Sequence, residues 1–223
     1  MANNQSLSFI TKREKLSNRI YKILRERVTH EELAPGEIYS ISYIAAQLNV
    51  SRTPVHDACQ RLEAEGFLTI LPKQGILIKP LTINLARESY EMRAAIETYM
   101  VRRSFSQITE ADIAFLVENC EKQKFYADRY QFPEFMETDI EFHRHLIRKY
   151  DNEQANSLLD TLYIRALQIG IMVSKTEGRL IASYNEHLRI VESIKNNDLE
   201  QTIKWIETNI MNGYISLTGA YEI

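Results

Sequence analysis

The stretch Val50-Ser51-Arg52-Thr53-Pro54-Val55, followed by an apolar-periodic run that stops at Gly66, constrains the fold of this 223-residue chain more than any other feature. Thr53 suits a helix N-cap, and Pro54 suits the first helical position, where a missing N–H costs nothing. Val55, Cys59, Leu62 and Phe67 fall near one face, and Gly66 can take the left-handed conformation that ends a helix. The opposite face carries His56, Asp57, Gln60 and Arg61, placed to meet a partner. Upstream, Ile44, Ala45 and Leu48 mark a short second helix. Asn49-Val50-Ser51-Arg52 joins the two with the length and chemistry of a helix-turn-helix turn.

Between Glu14 and Glu32, Leu16, Ile20, Ile23, Leu24 and Val28 recur at helical spacing, and Leu33-Ala34-Pro35-Gly36 is a stop signal. After Gly66, the apolar runs 67–71 and 76–79 flank Pro72-Lys73-Gln74-Gly75, which predicts a two-stranded wing. The order is helix, helix, recognition helix, hairpin. These are the parts of a winged helix-turn-helix within residues 1–80.

The chain here resembles the GntR family of bacterial transcription regulators. The resemblance rests on Leu33-Ala34-Pro35-Gly36, Ile44-Ala45, Leu48, Val50 to Val55, Arg61-Leu62-Glu63-Ala64-Glu65-Gly66-Phe67 and Gly75. It implies DNA contacts at Ser51, Arg52, Thr53 and Gly75, with His56 at the reading face. In isolation Arg52 and Thr53 also read as a solvated turn with a helix cap. The family usually carries Arg-Glu after its Pro-Val, and this chain has His56-Asp57. Histidine lacks the planar fork by which arginine grips guanine, so a different operator preference is expected. Tyr39 and Ile41 also depart from the family pattern and read as changes in packing.

Charge supports two parts with different tasks. Residues 1–80 carry 11 Lys/Arg against 8 Asp/Glu, and the remainder carries 16 against 22. A mildly basic head on an acidic body suits a module that approaches phosphates. No apolar stretch reaches membrane-spanning length and the N-terminus lacks a signal peptide, so a cytoplasmic protein without membrane contact is expected. Cys59 and Cys120 lack Cys-x-x-Cys spacing and are read as reduced core thiols.

Pro80-Leu81-Thr82-Ile83-Asn84 marks a boundary, giving a second domain over 81–223. Helices are expected at 84–104, 109–128, 132–149, 152–175, 178–196 and 198–219. The fold class is therefore mostly α, a winged head followed by an all-α antiparallel bundle.

Within the bundle, Asp139 and His143 lie four residues apart on one helix face, and His187 lies on a later helix beside Glu186. A carboxylate and imidazoles from different helices are how bundles build metal sites, although the same spacing also describes an ordinary helix-surface pair. These residues are similar to the FCD ligand-sensing domain of the FadR-type branch of the GntR family. That resemblance implies a divalent metal, zinc or nickel, held by Asp139, His143 and His187. The family's fourth ligand, a histidine, falls on Asn209, whose amide oxygen suits harder cations better. It leaves metal binding altered or lost, or Asn209 bonded to the effector instead. His145, two residues past His143, points to another face. His30 reads as a helix-end residue favoured by the dipole.

Arg93 occupies the arginine of the FCD first-helix motif. It is placed either to hold an effector carboxylate or to pair with Glu97 one turn on. Arg165, Ser183, Tyr163 and Tyr184 are further cavity-wall candidates, and their mixed polarity suits a small polar acid. The resulting expectation is a homodimeric regulator, most often a repressor in this family, that binds a pseudo-palindromic operator under control of a small carboxylic-acid effector. Two alternatives stand beside it. One is a metal-dependent enzyme on Asp139, His143 and His187, which lacks an evident general base, since Glu186 should point off the His187 face. The other is a constitutive DNA-binding protein with a degenerate sensor.

Overall fold

A computed structural model describes residues 3–173 and 178–221, with side chains over 16–170 and 178–216. The chain divides into two compact units, 1–81 and 82–223.

In the first unit, α1 (Asn3–Thr29) begins well before the expected Glu14, because neither glycine nor proline interrupts the chain ahead of Pro35. It also ends three residues sooner than expected, where the chain turns and Glu31 adopts a positive φ of 58°. Ile20, Leu24 and Val28 are buried as the periodicity required, whereas Leu16 is 39% exposed. Helix α2 (Ile41–Gln47) is capped by Ser40, whose hydroxyl accepts from Tyr43 N. Helix α3 (Arg52–Ala64) starts earlier than the sequence suggested. Ser51, not Thr53, is the N-cap, and Pro54 occupies the third helical position, where its missing N–H is still one of the four that need no partner.

The wing holds one strand more than expected. Strands β2 (Leu68–Leu71) and β3 (Gly75–Ile78) form the antiparallel hairpin, and β1 (Ile38–Tyr39) adds to the outer edge of β3 in the order β1-β3-β2. Two residues are too few to show alternation in sequence. Gly75 makes this edge possible. Its φ is 134°, and a Cβ there would collide with the backbone carbonyl of Tyr39. Val55, Cys59, Leu62 and Phe67 are all buried, and Gly66 ends the α3 turn at φ 79°.

The second unit holds α4 (Ile83–Ser104), α5 (Glu110–Ala127), α6 (Phe132–Ile147), α7 (Glu153–Val173), α8 (Arg179–Lys195) and α9 (Leu199–Tyr221), close to the predicted spans. Residues 174 and 175, predicted at the end of α7, lie outside the described residues. A 3-10 turn at Phe105–Gln107 was not anticipated. Helix starts follow local chemistry. Thr82 caps α4, Thr109 and Asp112 form a reciprocal capping box on α5, Pro133 lies in the first turn of α6, and left-handed Gly178 precedes α8. Helix α4 packs on α7 and α9, α8 on α5 and α9, and α5 on α6. This arrangement turns the inner faces of α4, α6, α8 and α9 towards one another.

Candidate functional site

In the first unit an open groove of about 570 Å³ runs between α3 and the wing. Arg52, Thr53 and His56 line it from α3, Lys73, Gln74 and Gly75 from the wing, and Ser42 from α2. Arg52 and Thr53 are exposed, as is the cap residue Ser51. The wing is tied to the helix by Glu63, whose carboxylate accepts from Ile70 N at 2.7 Å. Arg61, expected to face a partner, instead turns to α1. It donates to Asn18 Oδ1 and lies over the Tyr21 ring, 3.9 Å from its centroid. Tyr39, one of the departures from the family pattern, accepts a hydrogen bond from Ala34 N through its hydroxyl.

In the second unit Asp139 and His143 of α6 meet His187 of α8, with their ligating atoms all within 4.8 Å of one another. His187 Nε2 lies 3.3 Å from His143 Nε2 and 3.6 Å from Asp139 Oδ1. Asn209 of α9 completes the cluster, its Oδ1 2.9 Å from His143 Nε2. Both histidines are fully buried.

The protons on these groups follow from their partners. Asn119 Nδ2 donates to the backbone carbonyl of Thr138, which can only accept, so Asn119 Oδ1 faces Gln123 and accepts from its Nε2. The oxygen of Gln123 must then face His187, 2.6 Å from Nδ1. His187 therefore carries its proton on Nδ1 and turns the Nε2 lone pair inward. On the other histidine, Nδ1 lies 2.7 Å from Glu97 Oε2, so it too is protonated on that side. Asn209 is oriented by Glu186, whose carboxylate offers only acceptors and takes Asn209 Nδ2 at 2.8 Å. The amide oxygen is left facing His143.

Four electron-pair donors therefore converge: two imidazole Nε2 atoms, the Asp139 carboxylate and the Asn209 oxygen. Such a centre calls for a cation, either a second proton on His143 or a metal ion. Three of the separations, His143 to Asn209, His143 to His187 and His187 to Asp139, are 2.9, 3.3 and 3.6 Å, near the roughly 3.4 Å between neighbouring ligands in a tetrahedral site with bonds of about 2.1 Å. The electrostatics agree. Burial alone would raise Glu97, but Arg93 and His143 outweigh it and hold the carboxyl at about 2. Burial alone would lower His143, and Glu97 outweighs that to raise it. Burial, helped by the positive charges of His143 and Arg179, pushes His187 down to about 3, so it stays neutral.

Beside the cluster lies a cavity of about 40 Å³, lined by Arg93, Asp139, Arg179, Ser183 and Asn209 on its polar side and by Phe135 and Met136 among its apolar residues. Arg93 lines this cavity and also pairs with Glu97. Its Nε pairs with Glu97 Oε1 at 2.9 Å, while one terminal nitrogen, Nη2, is buried without a hydrogen-bond partner. Ser183 lies where expected and donates to Asp139 Oδ1 at 3.2 Å. Arg165 and Tyr163 of α7 are buried but do not line the cavity, and neither does half-buried Tyr184. His145 bonds Asp112 and stacks on Phe115, away from the cluster.

Gln123, Asn119 and Arg179 were not singled out from sequence, and Glu97 only as a partner for Arg93, because their role in the cluster depends on which helices neighbour theirs. Glu186 does point off His187, as expected. It does not point to solvent: it receives Arg179 through two hydrogen bonds and Asn209 and Asn212 through one each.

Comparison with known proteins agrees with these two units. Residues 16–78 match the family of bacterial regulatory proteins, gntR family, and residues 88–209 match the FCD domain. The chain is 30% identical over 187 residues to the HTH-type transcriptional repressor RspR of Escherichia coli, covering 82% of this chain and 80% of that one. It is 26% identical to the gluconate operon transcriptional repressor of Bacillus subtilis, covering 83% and 78%. The fold is similar to E. coli McbR/YncC with a TM-score of 0.80 at 18% identity, over 93% of this chain and 99% of that one. With residues 16–78 and 88–209 both matched, the chain belongs to the GntR family and is a DNA-binding transcriptional regulator with an FCD domain rather than an enzyme.

Proposed function

We propose that this regulator is a homodimeric repressor whose affinity for a pseudo-palindromic operator is set by a small carboxylic acid bound beside Asp139, His143 and His187. The observation that carries the reading is the buried, unpartnered Nη2 of Arg93, a residue that lines the cavity next to that cluster. An unsatisfied buried guanidinium N–H costs about 1–3 kcal/mol or more, and a carboxylate oxygen removes that cost. Arg179 adds a second guanidinium to the wall, and Phe135 and Met136 accommodate a short carbon skeleton. A divalent ion held by Asp139, His143 and His187 supplies further positive charge for the acid. The repressor direction draws on the names of two relatives.

On the DNA side, Ser51, Arg52 and Thr53 with the wing around Gly75 hold the backbone, and His56 faces the bases. For the acid to release the operator it must bind one state of the protein better than the other. A 100-fold change in operator affinity corresponds to about 2.7 kcal/mol of coupling. The test is elemental analysis of the purified protein with a thermal-shift screen of small carboxylic acids, followed by operator binding with each hit. Metal near one per chain, and an acid that raises Tm and shifts operator affinity only before chelation, is the expected result. Operator affinity indifferent to chelator and to every acid would instead favour constitutive DNA binding.

A further inference from the structure

We infer that Asn209 is a fourth, oxygen ligand of the metal centre and that Glu186 is the positioning residue that aims it, biasing the site toward harder divalent cations such as Mn2+. This rests on the metal reading proposed above. An asparagine amide presents oxygen or nitrogen depending on a 180° flip, and only the oxygen can ligate. The flip is decided outside the centre. Asn209 Nδ2 lies 2.8 Å from Glu186 Oε2 and 3.3 Å from Ser183 Oγ. Glu186 is itself held by both terminal nitrogens of Arg179 at 3.1 Å and by Asn212 Nδ2 at 2.8 Å. Glu186 therefore has little freedom to release the amide. Reversing Asn209 would give its N–H2 one acceptor in His143 Nε2, but it would lose the bonds to Glu186 and Ser183 and set the amide oxygen against the Glu186 carboxylate.

The donor set is then two imidazole nitrogens and two oxygens, from Asp139 and Asn209, in place of a nitrogen-richer centre. Imidazole favours zinc and nickel, and carboxylate and amide oxygens favour manganese and magnesium. Zinc still binds more tightly in absolute terms. The consequence is a smaller gap between Zn2+ and Mn2+ than a histidine at position 209 would leave.

The test uses full-length protein, stripped with chelator and reloaded with Mn2+ or Zn2+ alone. Mn2+ is titrated by electron paramagnetic resonance and Zn2+ by competition with a chromophoric chelator. Co2+ absorption reports coordination, and thermal unfolding confirms that each variant is folded. Asn209→Leu is expected to weaken Mn2+ binding by about 10-fold or more and to change the Co2+ spectrum, and Glu186→Gln to weaken Mn2+ by about 10-fold, both with a smaller effect on Zn2+. Asn209→His should widen the Zn2+-over-Mn2+ ratio, and in that background Glu186→Gln should leave the ratio unchanged, because an imidazole needs no amide flip. A wild-type metal centre that ignores Asn209→Leu, or a Glu186→Gln effect equal for both metals in both backgrounds, overturns the inference and leaves the metal reading standing. Wild-type protein that binds neither Mn2+ nor Zn2+ overturns both.

Discussion

Gln123 Oε1 lies 2.6 Å from His187 Nδ1, and through it the backbone carbonyl of Thr138 determines which nitrogen of a histidine on another helix carries the proton. A Gln123→Leu protein keeps the volume but leaves His187 Nδ1–H and Asn119 without that partner. Stability should fall by about 1–3 kcal/mol in urea unfolding. Divalent-metal affinity should fall by about 10- to 100-fold in calorimetric titration, since the ring is no longer held in the ligating tautomer. Unchanged metal affinity in a folded variant would remove the relay from the account of the site.

Arg93 and Glu97 form a buried pair, 2% and 1% exposed, so neither charge is compensated by water. Arg93→Met should destabilise the helical unit by about 3 kcal/mol, because buried Glu97 loses its guanidinium partner and keeps only His143. The double variant Arg93→Met/Glu97→Leu should recover part of that loss in the same unfolding experiment. Acid-induced thermal shifts should vanish in every variant lacking Arg93.

Asp112 receives the Thr109 hydroxyl and N–H, His145, Arg148 and Lys149. Burial opposes ionisation, yet these hydrogen bonds outweigh it and hold the carboxyl below its ordinary value of 3.8. A folded-state pKa lowered in this way contributes stability that is present above the unfolded value and lost as pH falls through the folded one. Asp112→Asn should therefore cost about 2 kcal/mol at neutral pH, with the gap to wild type closing below about pH 4. A gap constant from pH 7 to pH 2 would contradict the assignment.

At the DNA-binding end, Arg52→Ala should weaken operator binding with the fold intact. If Arg52 holds a phosphate, the loss is uniform across operator sequences and the salt slope falls by about 1. Wild-type operator affinity in the folded variant would exclude Arg52 as a leading contact.

Gly75→Ala tests the wing separately. A methyl group there meets the Tyr39 carbonyl at a φ that L-residues rarely adopt, so β1 must leave β3. A loss of about 2–3 kcal/mol in the stability of the first unit, together with weaker operator binding, is expected.

The helices and the order of the parts were legible along the chain. Cap residues such as Thr82 and Thr109, the left-handed glycines Gly66 and Gly178, and the 3.6-residue spacing of Ile20, Leu24 and Val28 act within a turn or two of themselves, so local chemistry suffices to read them. Asp139 and His143, one turn apart on α6, were legible for the same reason, whereas joining His187 to them rested on the resemblance to the FCD domain. Ser51 rather than Thr53 as the cap of α3 shows the limit of that reading, since both residue types can cap and the choice turns on where the preceding chain enters. The strand at Ile38–Tyr39 exists only because Gly75 lets two backbones approach. Packing between helices set what surrounds Asp139, His143 and His187. Glu97, Gln123 and Glu186 lie 46, 64 and 23 positions from the His143, His187 and Asn209 they control. A proton's position on a ring, or an amide's orientation, depends on which acceptor a neighbouring helix delivers within hydrogen-bonding distance. That distance is created by packing and leaves no periodic trace along the chain.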